Sequence, residues 1–72
     1  MSRMTQISKA NILAADRAEL VPLDDGAHGV KVWKGDRAAF VSHATGPIAY
    51  PTATLARRAV KRLRPDLEPT TI

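Results

Sequence analysis

The sequence predicts a small α+β fold, an antiparallel β-meander with a C-terminal amphipathic helix packed on one of its faces. Three observations predict it: an alternating hairpin pattern over residues 30–41, a helical pattern over residues 54–64, and a length of 72 residues that suits a single small domain. The meander has three strands if residues 19–23 form one, and two otherwise. Residues 1–72 form one domain, with 1–7 and 69–72 as frayed ends.

The N-terminal segment, residues 8–20, is compatible with a short helix that starts at Ser8 or Asn11 as N-cap. With this helix the order is α-β-β-β-α, and without it β-β-β-α. The next residues, "ELVPL", are typical of a short strand, and Pro22 confines it to a sheet edge or a strand end. "DDGAHG" then has the composition of a turn.

The strongest local pattern is "VKVWKGDRAAFV", two alternating runs joined by Gly35-Asp36. Glycine at the first central position favours a type II′ turn, which would place Lys34 opposite Arg37. The alternation then separates two faces of the hairpin. One face is aliphatic: Val30, Val32, Ala39 and Val41. The other is mixed: Lys31, Trp33, Ala38, Phe40 and Ser42.

The last helix is predicted to begin at Thr52 or Thr54 and to stop before Pro65, after a loop or short edge segment over residues 43–51. Its apolar side chains span an arc of roughly 140° at helical spacing and would pack on the aliphatic hairpin face. They are Leu55, Ala56, Ala59, Val60 and Leu63. The opposite arc is cationic and consists of Arg57, Arg58, Lys61, Arg62 and Arg64.

Positive charge is concentrated in the second half of the chain. The net charge is −1 over residues 1–28, +7 over 29–64 and −2 over 65–72, within an overall +4. A segment this basic favours an anionic partner, either nucleic acid or an acidic protein surface.

The cationic helix arc has two interpretations. It is either an ordinary solvated surface or a binding surface, which Lys34 and Arg37 at the hairpin tip would extend. Like charges three or four residues apart in a helix cost about 0.2–0.5 kcal/mol per pair at low salt, and no acid is interspersed here. An anion lying along the helix would remove that repulsion, so binding is favoured.

The mixed hairpin face also has two interpretations. Exposed, Trp33 and Phe40 with Lys31 would form a platform that stacks bases or anchors a protein interface. Buried, they would lie under the N-terminal segment through Ile12, Leu13 and Leu20. Burial is favoured because the chain has so few large apolar residues. A homodimer is another way to add burial to a core this thin.

No catalytic, cofactor or metal site is predicted. The absence of cysteine excludes disulfides and zinc–thiolate sites, and the two histidines have no clustered ligands nearby in the sequence. No apolar run of about 18 residues occurs, so no membrane span is expected, and we expect a cytoplasmic protein.

The element order, a meander followed by a basic helix, resembles the integrase arm-type DNA-binding domain and the double-stranded RNA-binding domain. The resemblance lies in topology alone, since "TATLARR" lacks the paired lysines with which the last helix of the RNA-binding domain begins. The working hypothesis is a non-enzymatic protein whose basic helix contacts nucleic acid. The alternative is an accessory, inhibitor or regulatory protein that binds an acidic protein surface.

Overall fold

The fold is that of a computed structural model, which describes residues 4–72. Two helices and two small sheets confirm the α+β class. In chain order the elements are α1 (Gln6–Ala14), β1 (Arg17–Pro22), β2 (His28–Lys34), β3 (Arg37–Phe40), β4 (Ser42–His43), β5 (Gly46–Pro47), α2 (Ala53–Leu63) and β6 (Thr70–Thr71). The main sheet has the order β3-β2-β1-β6, and β4 and β5 pair separately. Strand β6 runs parallel to β1, so the main sheet is mixed rather than purely antiparallel.

Helix α1 begins at a different cap from either candidate. Thr5 is the N-cap, and its hydroxyl accepts a 3.0 Å hydrogen bond from the backbone N–H of Ser8. Ser8 itself is buried, and its hydroxyl accepts a 2.8 Å hydrogen bond from the backbone N–H of Ser42. The serine is therefore used to attach α1 to the second sheet, which leaves the capping role to Thr5.

The same helix ends at Ala14 instead of continuing to Leu20. From Arg17 the chain pairs with β2, and the side chains of Ala18 and Leu20 are buried in the sheet. Burial against the sheet here outweighs the helical propensity of the segment. A strand is present where residues 19–23 were predicted to form one, but it spans Arg17–Pro22, with Pro22 at its end.

The hairpin of β2 and β3 has the predicted register, with Lys34 opposite Arg37 and Trp33 opposite Ala38. Gly35 has φ +62°, and no non-glycine residue among 4–72 has positive φ. That combination fits a type II′ turn, because a type I′ turn requires positive φ at both central positions. The N–H of Gly35 donates to a carboxylate oxygen of Asp16 at 2.7 Å, which ties the tip to the start of β1.

The core lies between the aliphatic sheet face and both helices. Its buried members from the helices are Ile12, Ala56 and Val60, and those from the sheet and its connections include Ala18, Leu20, Val30, Val32 and Val41. The last helix packs on this face as predicted through Ala56 and Val60, with Leu63 partly buried, and Thr52 is its N-cap. Both helices therefore cover the same side of the sheet. The prediction was wrong for Leu55, which is 42% exposed, and for Ala59, which lies outside the core.

The mixed face is accordingly not covered by the N-terminal segment, and this expectation was wrong. Ile12 and Leu20 lie in the core on the other side of the sheet, and Leu13 is 56% exposed. Phe40 remains 37% exposed and Trp33 is half-buried. Both helices pack on the aliphatic face of the sheet through small side chains. Within residues 4–72, neither helix is therefore left to cover the mixed face.

The segment expected to be a loop contains the short β4–β5 hairpin and then returns to the main sheet. Tyr50 exchanges two backbone hydrogen bonds of 2.8 Å with His28, at the start of β2. These bonds fix the Tyr50 backbone immediately before α2 begins.

Described residues in both of the segments expected to fray form hydrogen bonds with the rest of the fold. The N–H of Thr5 donates to the carbonyl of Ser42 at 3.0 Å, and residues 1–3 lie outside the described range. At the other end Leu67 and Pro69 are buried, and β6 pairs with β1. The tail, residues 65–72, is thus folded back along the domain from α2 to the sheet.

Candidate anion-binding site

Helix α2 has a buried side and a cationic side. Ala56 and Val60 are buried against the sheet, while the five cations point away from it with unequal surroundings. No acid lies within this arc in the sequence, but two acids of the tail compensate part of it. The tail returns Asp66 and Glu68 to the helix, because Leu67 between them is buried and holds the tail in place.

Glu68 compensates two of the cations. Its carboxylate forms an ion pair with Arg57, and a second with Lys61 in which Nζ and Oε2 are 2.5 Å apart. Lys61 Nζ also donates to the carbonyl of Pro65 at 3.1 Å. Side chains at this site remain substantially exposed, so each pair contributes little to stability, about 0–1 kcal/mol.

Arg64 is the most constrained cation of the helix. Its Nη1 donates to the carbonyls of Ile12, Leu13 and Ala15 at 3.2, 2.9 and 3.1 Å, and so satisfies the C-terminal end of α1. Its Nε and Nη2 donate to the two carboxylate oxygens of Asp66, both at 3.0 Å. This two-point bond raises the pKa of Arg64 and lowers the pKa of Asp66. Arg64 therefore has a structural role.

Arg58 and Arg62 are the remaining cations of α2. Within residues 4–72 neither forms an ion pair, and both are exposed. Together with Lys9 of α1 they line a groove of about 630 Å³. The rest of the lining is mostly apolar and includes Met4, Ile48, Tyr50, Leu55, Ala59 and Leu63. Among the described residues, none that lines the groove is acidic, which makes it a candidate anion site. We call it the cationic groove.

Tyr50 forms part of the groove and lies close enough to Arg62 for the guanidinium charge to affect the ionisation of the phenol. Partial burial raises the pKa of the Tyr50 phenol, and the positive charge of Arg62 acts in the opposite direction. Since the Tyr50 backbone is bonded to β2, the ring is attached to a rigid part of the fold.

Lys34 and Arg37, the predicted hairpin-tip contacts, do not join this groove. They lie on the other side of α1, beside a smaller groove of about 300 Å³ whose lining includes Asn11, Ala14 and Trp33. The two grooves share no lining residue. The predicted cations therefore divide into three sets. The tail-bound cations are Arg57, Lys61 and Arg64, the groove cations are Arg58 and Arg62, and the hairpin-tip cations are Lys34 and Arg37.

The open face is the uncovered side of the main sheet, around Trp33, Phe40 and Lys31. Arg17 stacks on the Trp33 ring with its guanidinium 4.4 Å from the centroid, and Lys31 Nζ lies 4.9 Å from it. The indole Nε1 donates to Glu19 at 2.5 Å. Trp33 is thus held by charged neighbours on an accessible surface.

Phe40 packs beside Leu23 over Gly29 on the same face. A Cβ at Gly29 would come within 3.3 Å of Leu23 and 3.4 Å of Phe40, so the missing side chain lets both settle close to the sheet. This apolar pair adjoins Lys31, whose Nζ is 6.0 Å from the Phe40 ring.

The histidines are engaged locally. His28 pairs with Tyr50 through its backbone, and Nδ1 of His43 lies 2.9 Å from the hydroxyl of Thr45. Over residues 4–72 there is no group of three or more histidine or acidic side chains placed to hold a metal ion.

Sequence reasoning did not identify Lys9, Tyr50, Arg17 or Glu68 as members of these surfaces. Lys9 and Arg17 are brought there by contacts between distant parts of the chain, whereas Glu68 follows the helix whose cations it pairs with. The one available signal was that Asp66 and Glu68 follow the basic helix directly.

No protein-family model, no curated protein and no solved structure matches this chain. Among the described residues, neither helix has the length and apolar character needed to cross a bilayer.

Proposed function

We propose that the protein is a non-enzymatic, cytoplasmic binding protein that contacts the phosphate backbone of a nucleic acid through Lys9, Arg58 and Arg62. One observation carries the proposal: these three cations converge on a groove whose lining, within residues 4–72, contains no carboxylate. A cluster of this kind lowers the energy of a nearby anion, and phosphates in a chain supply several at once.

The residue types support a phosphate ligand. Two of the three cations are arginines, whose planar guanidinium groups bond phosphate oxygens at two points. Contacts to phosphate carry no sequence information directly, so recognition through them has little base specificity.

A double charge reversal, Arg58→Glu with Arg62→Glu, tests the proposal. We expect affinity for a fluorescein-labelled oligonucleotide, measured by anisotropy at low salt, to fall by at least about tenfold. The slope of log K against log salt should become shallower by about 2, because two phosphate contacts are lost.

The matched control is Lys34→Glu with Arg37→Glu, which changes the net charge equally at the hairpin tip. The control should retain most of the affinity if the cationic groove is the site. An equal loss in both variants would mean that only total charge matters, and salt-independent or absent binding by the wild type would refute the proposal.

The second candidate is a protein-interaction module, and the open face favours it. Phe40 and Leu23 form an apolar contact beside Trp33, with Arg17 and Lys31 around them. Buried aromatic and arginine side chains dominate the binding energy of many protein interfaces.

A lysate pull-down after nuclease treatment tests this candidate. Protein bands that persist after nuclease and disappear with Phe40→Asp would support it. Bands that depend instead on Arg58 and Arg62 and vanish with nuclease would support the nucleic-acid proposal.

A further inference from the structure

The cationic groove contains more apolar surface than phosphate binding requires. Leu55, Ala59 and Leu63 are spaced four residues apart along α2 and lie on its groove side. Leu55 is 42% exposed although the core of this small domain is short of large side chains. The groove thus places an accessible apolar strip beside Arg58 and Arg62.

Tyr50 supplies an aromatic ring to the same groove. The ring is half-buried, so part of it is accessible, and two backbone hydrogen bonds to His28 fix its position. An aromatic ring that is already positioned loses little conformational freedom when a ligand stacks on it. The volume of about 630 Å³ lies within the range of sites that enclose small organic groups, roughly 300–1,000 Å³.

Single-stranded and duplex nucleic acids would use these features differently. A duplex presents phosphates on its outside and keeps its bases stacked, so it would contact the cations and leave the apolar strip unused. A single strand presents phosphates and accessible base faces together, which matches a cationic groove with an aromatic member.

We propose that the cationic groove binds single-stranded nucleic acid, with one base against Tyr50 and Leu55 and the adjoining phosphates on Lys9, Arg58 and Arg62. This inference rests on the proposed function and narrows its substrate class. It also assigns a role to Tyr50 and Leu55. Base stacking tolerates any sequence because every base has a π-face, so no strong base preference is expected.

The test compares a labelled 12-nucleotide single strand with a 12-base-pair duplex, both measured by anisotropy at the same low salt concentration. The wild type should bind the single strand at least about tenfold more tightly. Tyr50→Leu, which removes the ring but keeps apolar volume, should reduce single-strand affinity about tenfold and leave duplex affinity unchanged. Tyr50→Phe, which keeps the ring, should bind like the wild type.

Leu55→Ala provides a second variant at an exposed position, where folding is not at risk, and should weaken single-strand binding selectively. Circular dichroism checks the fold of each variant.

Equal affinity for the two forms, or unchanged single-strand binding in both Tyr50→Leu and Leu55→Ala, would overturn this inference. The proposed function would survive that result if the Arg58/Arg62 reversal still abolished binding. Tighter binding of an acidic amphipathic peptide than of either oligonucleotide would overturn both.

Discussion

Arg62 in the last turn of α2 and Arg64 at its C-cap lie two residues apart, yet they have opposite surroundings. Arg64 donates to three carbonyls at the end of α1 and to both oxygens of Asp66. Arg62 is exposed at the rim of the cationic groove and forms no ion pair within residues 4–72. A cluster of basic residues in a sequence therefore need not be one functional unit, since here one cation holds two helices together and another faces a groove.

The largest expected difference between Arg64 and Arg62 is in their contribution to stability. Among the described residues, Arg64→Ala removes the only side-chain donor to the carbonyls of Leu13 and Ala15 and leaves the carbonyl of Ile12 with the backbone N–H of Ala15 alone, so the melting temperature should fall by several degrees. Arg62→Ala should change it by no more than about 2 °C, as is usual for an exposed position. Thermal unfolding followed by circular dichroism measures both, and similar values for the two variants would contradict the distinction.

Glu68 forms ion pairs with Arg57 and Lys61 of α2, whereas Arg58 and Arg62 face the groove. Because Glu68→Gln releases Arg57 and Lys61 from their ion pairs, we expect oligonucleotide affinity to rise several-fold and the salt slope to steepen by about 1. Stability should hardly change, since exposed ion pairs contribute little.

Asp24→Asn is the control for this variant, because it removes the same charge in an exposed turn. If both variants raised the affinity equally, the effect would come from net charge and not from the release of the two cations.

Acid should weaken the Arg64 attachment. The hydrogen bond from Arg64 lowers the pKa of Asp66 below its ordinary value of 3.8, so the folded state binds this proton less readily than the unfolded state. The stabilisation is therefore complete above that value and is lost as the pH falls through the lowered pKa. The difference in melting temperature between the wild type and Asp66→Asn should shrink below pH 3.8. A constant difference would contradict the assignment.

The smallest effect concerns Arg62 and Tyr50. Burial raises the pKa of Tyr50 and the charge of Arg62 opposes that rise, so Arg62→Gln should raise this pKa further. Tyr50 is the only tyrosine of the chain, which makes a near-ultraviolet absorbance titration specific. The control Arg64→Lys keeps the charge outside the groove and should leave the titration unchanged. A lower pKa in Arg62→Gln would contradict the placement of Arg62 beside the phenol.

The sequence was sufficient for the elements whose pattern is local. The register of the hairpin at Gly35 follows from alternation and turn chemistry, and the bounds of α2 follow from Thr52 and Pro65. Strand β6 could not be predicted, because two threonines carry no strand pattern and gain one only by pairing with Glu19 and Leu20.

The candidate site could also be predicted only in part from the sequence. The cationic arc of α2 is visible in its periodicity, but its division into bound and exposed residues depends on where Asp66 and Glu68 return. The place of Lys9 in the groove depends on contacts across more than forty residues of chain, and that of Tyr50 depends on its pairing with His28 of β2. The expectation that Trp33 is covered failed because two helices with small side chains fit on a single sheet face.

Strand β6 has a consequence for how the protein behaves at high concentration. Without it, the backbone groups of Glu19 and Leu20 would form an unpaired sheet edge, which is a template for association with another chain. A two-residue strand covers that edge and is itself too short to recruit a neighbour. Deleting residues 70–72 should therefore promote self-association through β1, which light scattering would detect as a rise in mass with concentration.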